Sequence, residues 1–94
     1  MIKHVVCFKL KEDADKNQTA EILKSMKDKV PTVLDLEVGV DFLNSERSYD
    51  IILIVTLKDR EALNEYQNDE YHCSVVKKHM HAVRTSSVAV DFEI

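Results

Sequence analysis

The sequence predicts a single α+β domain of the ferredoxin-like type, a split βαβ fold with the order β-α-β-β-α-β and one four-stranded antiparallel sheet. Four segments have the hydrophobic pattern of strands, and two regions between them place apolar residues at helical spacing. The chain of 94 residues is long enough for one modest core. This plan puts the first and third strands in the middle of the sheet, and these two segments are the most apolar on both faces. An open α/β sheet would need more helices on both faces.

The first predicted strand spans residues 2–10, and its side chains alternate between two faces. One face carries Ile2, His4, Val6, Phe8 and Leu10, and the other carries Lys3, Val5, Cys7 and Lys9. His4 is therefore an imidazole on an otherwise apolar face. Such a group needs a polar partner when it is buried.

The first helix follows a polar stretch in which Asn17 or Thr19 can act as the N-cap. Its apolar residues recur at helical spacing, and Pro31 ends it. They are Ile22, Leu23, Met26 and Val30. Residues 33–42 alternate between apolar and polar as a half-buried second strand does, and residues 44–48 form the turn after it.

The third predicted strand, residues 49–57, is apolar on both faces and should therefore be central. Asp59 can cap a short helix that reaches Tyr66. Asn68 or Asp69 can cap a second helical stretch that continues to about Met80. The last strand spans residues 84–93, with Ser86, Val88, Val90 and Phe92 on one face.

Helices can cover only one face of this sheet, so the other face must find a partner. We expect that face to be apolar, and a bare apolar patch favours association. Hiding a few hundred Å² at ~25 cal/mol per Å² stabilises a complex by several kcal/mol. We therefore expect a homodimer packed sheet against sheet, with Asp35, Glu37 and Asp41 of the edge strand on a polar rim. The residues expected on the uncovered face are Tyr49, Ile51, Leu53, Val55 and Leu57, with Val5 and Cys7.

Charge and hydropathy argue against two classes of partner. The chain has 13 basic and 17 acidic residues and a net charge of −4, without a basic stripe, so we expect no nucleic-acid surface. The longest apolar run, residues 51–55, is too short to cross a membrane, and we expect neither a membrane segment nor a secretory leader. Cys7 and Cys73 are not in a CxxC arrangement, which favours reduced thiols and a cytoplasmic protein.

The sequence also lacks the motifs of common cofactor and metal sites. Its single glycine, Gly39, cannot form a glycine-rich phosphate loop. His79 and His81 diverge on a helix, and no cysteine or carboxylate is spaced to complete a metal site with them. We therefore expect no cofactor and no metal.

Tyr66, His72, His4 and Asp50 are the candidate site residues. In the first turn of its helix, His72 is disfavoured as a cation by the macrodipole, although Asp69 and Glu70 act in the opposite direction. The phenol of Tyr66 suits a hydrogen-bond donor to a developing oxyanion. Asp50, on the neighbouring central strand, could orient His4 or His72. The alternative is that the tyrosine and the histidines are packing residues, with His4 and Asp50 as a satisfied polar pair.

An ordered set of segments carries a family resemblance over essentially the whole chain. They are the first strand IKHVVCFKL, Val30-Pro31, Glu37–Asp41, Ser48-Tyr49-Asp50, Ala62-Leu63 with Tyr66, His72, and Asp91-Phe92. Together they resemble the stress-responsive A/B barrel (Dabb) family. The resemblance implies a dimeric α+β barrel, in agreement with the expected uncovered sheet face.

The resemblance implies two kinds of function. Plant members of the family are described mainly as stable, stress-induced or defence-related proteins. One family enzyme closes a polyketide ring by an aldol-type reaction, and its catalytic tyrosine and histidine are similar to Tyr66 and His72. Its first-strand histidine matches His4, but it has a further histidine where this chain has Asp50. We therefore expect either a cofactor-free cyclase, isomerase or lyase for a small carbonyl compound, or a non-catalytic stress-responsive or assembly protein.

Overall fold

The computed structural model describes all residues, 1–94, as a four-stranded antiparallel sheet with helices on one face. Across the sheet the strands run second, third, first, fourth, which confirms the predicted plan and the central position of the first and third strands. No helix is both long and apolar enough to span a membrane. The elements are β1 (Ile2–Leu10), α1 (Lys16–Lys24), α2 (Met26–Lys29), β2 (Asp35–Val40), β3 (Ile51–Leu57), α3 (Arg60–Asn68), a π-helix (His72–Lys77), α4 (Lys78–Val83) and β4 (Arg84–Glu93).

The first helical region differs from its prediction at both the start and the middle. Asp15 is the N-cap, and its carboxylate accepts a hydrogen bond from the Gln18 amide at 3.0 Å. The predicted caps Asn17 and Thr19 are wrong, since both lie within α1. The expected continuous helix is divided at Ser25, whose hydroxyl donates to a backbone carbonyl of the preceding turn at 2.6 Å.

The second helical region begins as the sequence predicts. Asp59 caps α3 by accepting from the Ala62 amide at 2.8 Å, and Asp69 accepts from the His72 amide at 3.0 Å. The helix after Asp69 is α-helical at residues 70–71, continues as a π-helical segment, His72–Lys77, and ends as α4. Such segments are rare and occur frequently at functional sites.

The predicted orientation of the third strand is wrong. Ile51, Leu53, Val55 and Leu57 are at most 2% exposed and belong to the core under the helices. In the antiparallel ladder Leu53 lies opposite Val6, so the two side chains share one face. A strand that is apolar on both faces carries no signal for its own orientation, and the pairing with β1 decides it.

The uncovered face of the sheet is still apolar and includes Val5 and Cys7 as predicted, but its β3 residues differ from those expected. Ile52 and Ile54 of β3 lie opposite Cys7 and Val5 of β1, and β4 extends the same face. Several of these side chains are exposed in the single chain, Val90 at 64%. The β4 residues on this face are Val88, Val90 and Phe92. Asp35 and Glu37 lie at its margin on β2, as predicted.

Candidate functional site

A cavity of about 220 Å³ lies between the sheet and the π-helix and α4. Its mouth is formed by partly or fully exposed residues, and its floor by buried ones. Three of the four candidate residues, His4, Tyr66 and His72, lie in the floor. The rest of the floor is Val6, Phe8, Leu23, Leu53, Val76 and Met80, and the mouth is Gln67, Lys77, His81, Arg84 and Ser87.

A larger hollow of about 430 Å³ lies elsewhere, beside the β2–β3 connection. Asp50, the fourth candidate residue, lines this hollow together with Cys7, Phe42 and Arg47, but Tyr66 and the two candidate histidines do not. The smaller cavity is the candidate site, because it brings Tyr66, His4 and His72 together with apolar side chains.

The three candidate rings are in contact with one another. Tyr66 stacks on His72 with a centroid distance of 4.3 Å and an interplanar angle of 24°. His4 contacts Tyr66 in a T-shaped arrangement, with 5.6 Å between the ring centroids. The sequence prediction that these residues meet beneath the helices is thus matched by the geometry, and β1, α3 and the π-helix each supply one ring.

His72 has one ring nitrogen engaged by the backbone. Its Nδ1 lies 3.0 Å from the carbonyl oxygen of Tyr66. Because a carbonyl can only accept, Nδ1 carries the hydrogen, and the neutral ring has its lone pair on Nε2. Burial lowers the pKa of His72, with Lys77 and His4 acting in the same direction, against the Tyr66 carbonyl and Asp69. Asp69 acts as the sequence predicts, but burial, which the sequence did not rank, outweighs it and favours the neutral imidazole.

The second nitrogen of His72, a residue that lines the cavity, is free. Nε2 has no hydrogen-bond partner within the protein. Thr32 Oγ1 is the one fully enclosed side-chain nitrogen or oxygen without a partner, so His72 Nε2 must be reached by solvent. A neutral, accessible imidazole nitrogen above an apolar floor is able to accept a proton.

Tyr66 is a hydrogen-bond donor and not a base. Burial raises the pKa of its phenol strongly, and the charge of Asp69 adds to this. The hydroxyl donates to the Met26 sulfur at 3.6 Å. Thioether sulfur is a weak acceptor, so a carbonyl or enolate oxygen is a better partner for this hydroxyl.

His4 has a partner that the sequence analysis did not assign to it. Its Nδ1 contacts the carboxylate of Asp91, which lies directly opposite on β4. Asp91 carries a sequence signal, because it alternates with Val90 and Phe92 and so lies on the helix-covered face. Recognising the pair needs the register between the first and last strands.

The expected role of Asp50 is wrong. Its carboxylate accepts from the Leu10 amide at 2.7 Å and pairs with the ammonium of Lys16 at 3.1 Å. Burial opposes ionisation of Asp50, but the Leu10 amide and Lys16 outweigh it and hold the pKa below its ordinary value. Asp50 makes no hydrogen bond to His4 or His72, because it lies at the start of β3, opposite the far end of β1.

The site residues do not form a metal-binding set. No group of three or more histidine, cysteine, aspartate or glutamate side chains is placed to hold a metal ion. His79 is engaged separately, with Nε2 3.0 Å from the hydroxyl of the buried Thr19, while His81 lies at the cavity mouth. The pocket thus offers a base, hydrogen-bond donors and apolar walls.

A ferredoxin-like sheet with a histidine- and tyrosine-lined pocket under its helices defines a small α+β protein of the A/B barrel class. Residues 2–94 match the model of the Stress responsive A/B Barrel Domain, Dabb. The chain belongs to this family, as the sequence resemblance indicated. Comparison with curated proteins gave no significant match.

Solved structures share the fold over nearly the whole chain. A dimeric ferredoxin-like protein of unknown function from Bacteroides fragilis is 23% identical, with a TM-score of 0.84 over 99% of this chain and 95% of that one. A dimeric ferredoxin-like protein from Thermobifida fusca is 18% identical, with a TM-score of 0.80 over 99% and 90%. Hydroxynitrile lyase from Passiflora edulis is 12% identical, with a TM-score of 0.83 over 99% and 92%. At these identities the likeness concerns the fold.

Proposed function

We propose that the protein binds a small carbonyl compound in the helix-side cavity and transfers a proton at the carbon next to the carbonyl, without a cofactor. Cyclisation, isomerisation and lyase reactions share this step. The observation that carries the proposal is the free, solvent-reached Nε2 of His72, a cavity-lining imidazole that burial holds neutral.

The roles of the two principal residues follow from their protonation. His72 Nε2 takes the proton from the carbon, and the C–H electron pair moves onto the carbonyl oxygen as an enolate. Tyr66 donates its O–H to that oxygen in place of the Met26 sulfur. The protonated His72 then returns the proton, to the same carbon or to another atom of the product. No oxidant or reductant is needed.

His4 and Asp91 act as supporting residues in this proposal. The contact between His4 Nδ1 and Asp91 fixes the imidazole against the edge of Tyr66. His4 Nε2 has no partner and is reached by solvent, as His72 Nε2 is. Two cavity-lining histidines that both contact the tyrosine ring therefore each have a free nitrogen.

The proposal includes a homodimer formed through the uncovered face of the sheet. Exposed Val88, Val90 and Phe92 continue the apolar surface of the central strands. The similar proteins from Bacteroides fragilis and Thermobifida fusca are described as dimeric. The cavity is on the opposite side of the sheet, so each protomer keeps its own site.

Free Cys7 and Cys73 support a reducing, cytoplasmic location.

The test is exchange of the hydrogens next to the carbonyl of 4-methyl-2-pentanone in D₂O, followed by proton NMR. General acid–base groups contribute about 10²–10⁴-fold to such steps, so His72→Asn should slow exchange by about 100-fold. Tyr66→Phe should also slow it. His79→Asn and Tyr49→Phe are matched controls outside the cavity and should leave the rate unchanged. Equal rates for wild type and His72→Asn would contradict the proposal.

The alternative is a non-catalytic stress-responsive or assembly protein. One observation favours it: Tyr66 is fully buried, and its hydroxyl already has a partner within the core. In that case the three rings serve packing, and the dimer is the functional unit. Wild-type protein that neither binds nor exchanges the ketone, with site variants that change only stability, would support this alternative.

A further inference from the structure

The mouth of the cavity has an uneven charge distribution. None of its 14 lining residues is acidic, although the whole chain has 17 acidic residues and a net charge of −4. Lys77 and Arg84 carry positive charge there, and His81 lies between their elements in the chain. A cleft of one sign over low-dielectric walls concentrates ligands of the opposite sign.

Lys77 and Arg84 also have no carboxylate partner, whereas five of the 13 basic residues of this chain do. Lys77 Nζ donates to the Gln67 carbonyl at 3.2 Å, and an Arg84 guanidinium nitrogen donates to the Ser87 hydroxyl at 3.3 Å. An ammonium has three donors and a guanidinium five, so both retain free donors. The cations with an acidic partner are Lys9, Lys16, Lys24, Lys27 and Arg60.

We propose that the ligand is a small oxo acid, whose carboxylate binds Lys77 and Arg84 at the mouth. Its carbonyl then points to Tyr66 and His72, and its hydrocarbon part contacts the apolar floor. This assignment rests on the proposed function and names the substrate class for the same cavity. The volume of about 220 Å³ is below the roughly 300–1,000 Å³ of typical ligand sites, which favours a short-chain compound.

The choice of a carboxylate follows from the two cations and their positions. Lys77 lies on the π-helix and Arg84 at the start of β4, so they approach the mouth from different elements. Arg84 can form two parallel hydrogen bonds to a carboxylate, and Lys77 adds a point charge. A neutral ketone leaves both groups solvated and gains nothing from them.

The experiment compares 4-methyl-2-oxopentanoate with its methyl ester, which differs in charge but keeps the carbonyl. Dissociation constants come from NMR titration of the imidazole resonances. Wild type should bind the acid about tenfold more tightly than the ester, the low end for charge-assisted hydrogen bonds. Lys77→Met with Arg84→Met should abolish this preference. Lys58→Met with Lys78→Met removes the same charge from exposed positions outside the cavity and should preserve it.

Each outcome separates this inference from the proposed function. Equal binding of acid and ester by wild type, or a preference that survives the double substitution, overturns the oxo-acid assignment and leaves the carbonyl site intact. Binding of neither compound overturns both. If the double variant fails to fold, the preference for the acid is measured with Arg84→Met alone, because this substitution alters only the strand side of the mouth. About 1 M salt should weaken binding of the acid, because it screens the charges, and should leave binding of the ester unchanged.

Discussion

Tyr66 fixes His72 twice, once with its ring and once with its backbone. The rings stack at 4.3 Å, and the Tyr66 carbonyl accepts from His72 Nδ1 at 3.0 Å. Five residues separate the two in sequence, and Asp69 between them accepts from the His72 amide. The end of α3 and the start of the π-helix thus set the position, the tautomer and the environment of one imidazole.

His72 should make the protein less stable in mild acid. Burial lowers its folded-state pKa below the ordinary 6.5, so below about pH 6.5 the unfolded chain binds more protons than the folded one. The contribution of His72 to the free energy of unfolding is therefore present above that pH and is lost as the pH falls toward the folded-state pKa. Urea unfolding at several pH values measures it. His72→Asn should flatten this part of the pH profile of the free energy of unfolding. His79→Asn is the control, and it should preserve the pH dependence that comes from His72.

Tyr66→Phe should leave the protein folded. It removes only a donor to a thioether sulfur, so the free energy of unfolding should fall by less than about 1 kcal/mol. Tyr66→Ala empties a fully buried site and should cost about 3–5 kcal/mol. Denaturant unfolding measures both. A large loss for Tyr66→Phe would mean that the hydroxyl is essential to the core, which favours the packing role.

His4 and Asp91 should be energetically coupled. Their contact is partly screened, because the Asp91 side chain is 43% exposed, so we expect a coupling energy of about 0.5–1 kcal/mol. A double-mutant cycle with His4→Phe and Asp91→Ala measures it by unfolding. If the two substitutions are additive, the pair does not position His4.

Substitutions on the two faces of β3 should have different consequences. Ile52→Glu or Val90→Glu introduces a charge on the uncovered face and should dissociate the proposed dimer into folded monomers in sedimentation equilibrium. Leu53→Glu should instead unfold the chain, because it buries a charge in the core. Val75→Glu, exposed away from the sheet, is the control. A dimer that persists in both Ile52→Glu and Val90→Glu would exclude the sheet face as the interface.

Local chemistry explains why most elements could be predicted from the sequence. Alternation defines β1 and β2, Pro31 closes the first helical region, and Asp59 and Asp69 are side chains that cap whichever helix follows them. The break at Ser25 and the π-helix could not be predicted, since each depends on contacts with the rest of the fold. Ser25, for example, also hydrogen-bonds to the distant Tyr71 hydroxyl at 2.6 Å.

The sequence by itself determined the family, the strand order and the meeting of His4, Tyr66 and His72 under the helices. Tertiary structure decided the orientation of β3, the partner of His4 and the role of Asp50. The physical reason is that periodicity describes one strand at a time, whereas these features depend on the register between strands. Val6 opposite Leu53 and His4 opposite Asp91 are pairings of residues far apart in the chain. Only the assembled sheet brings them together.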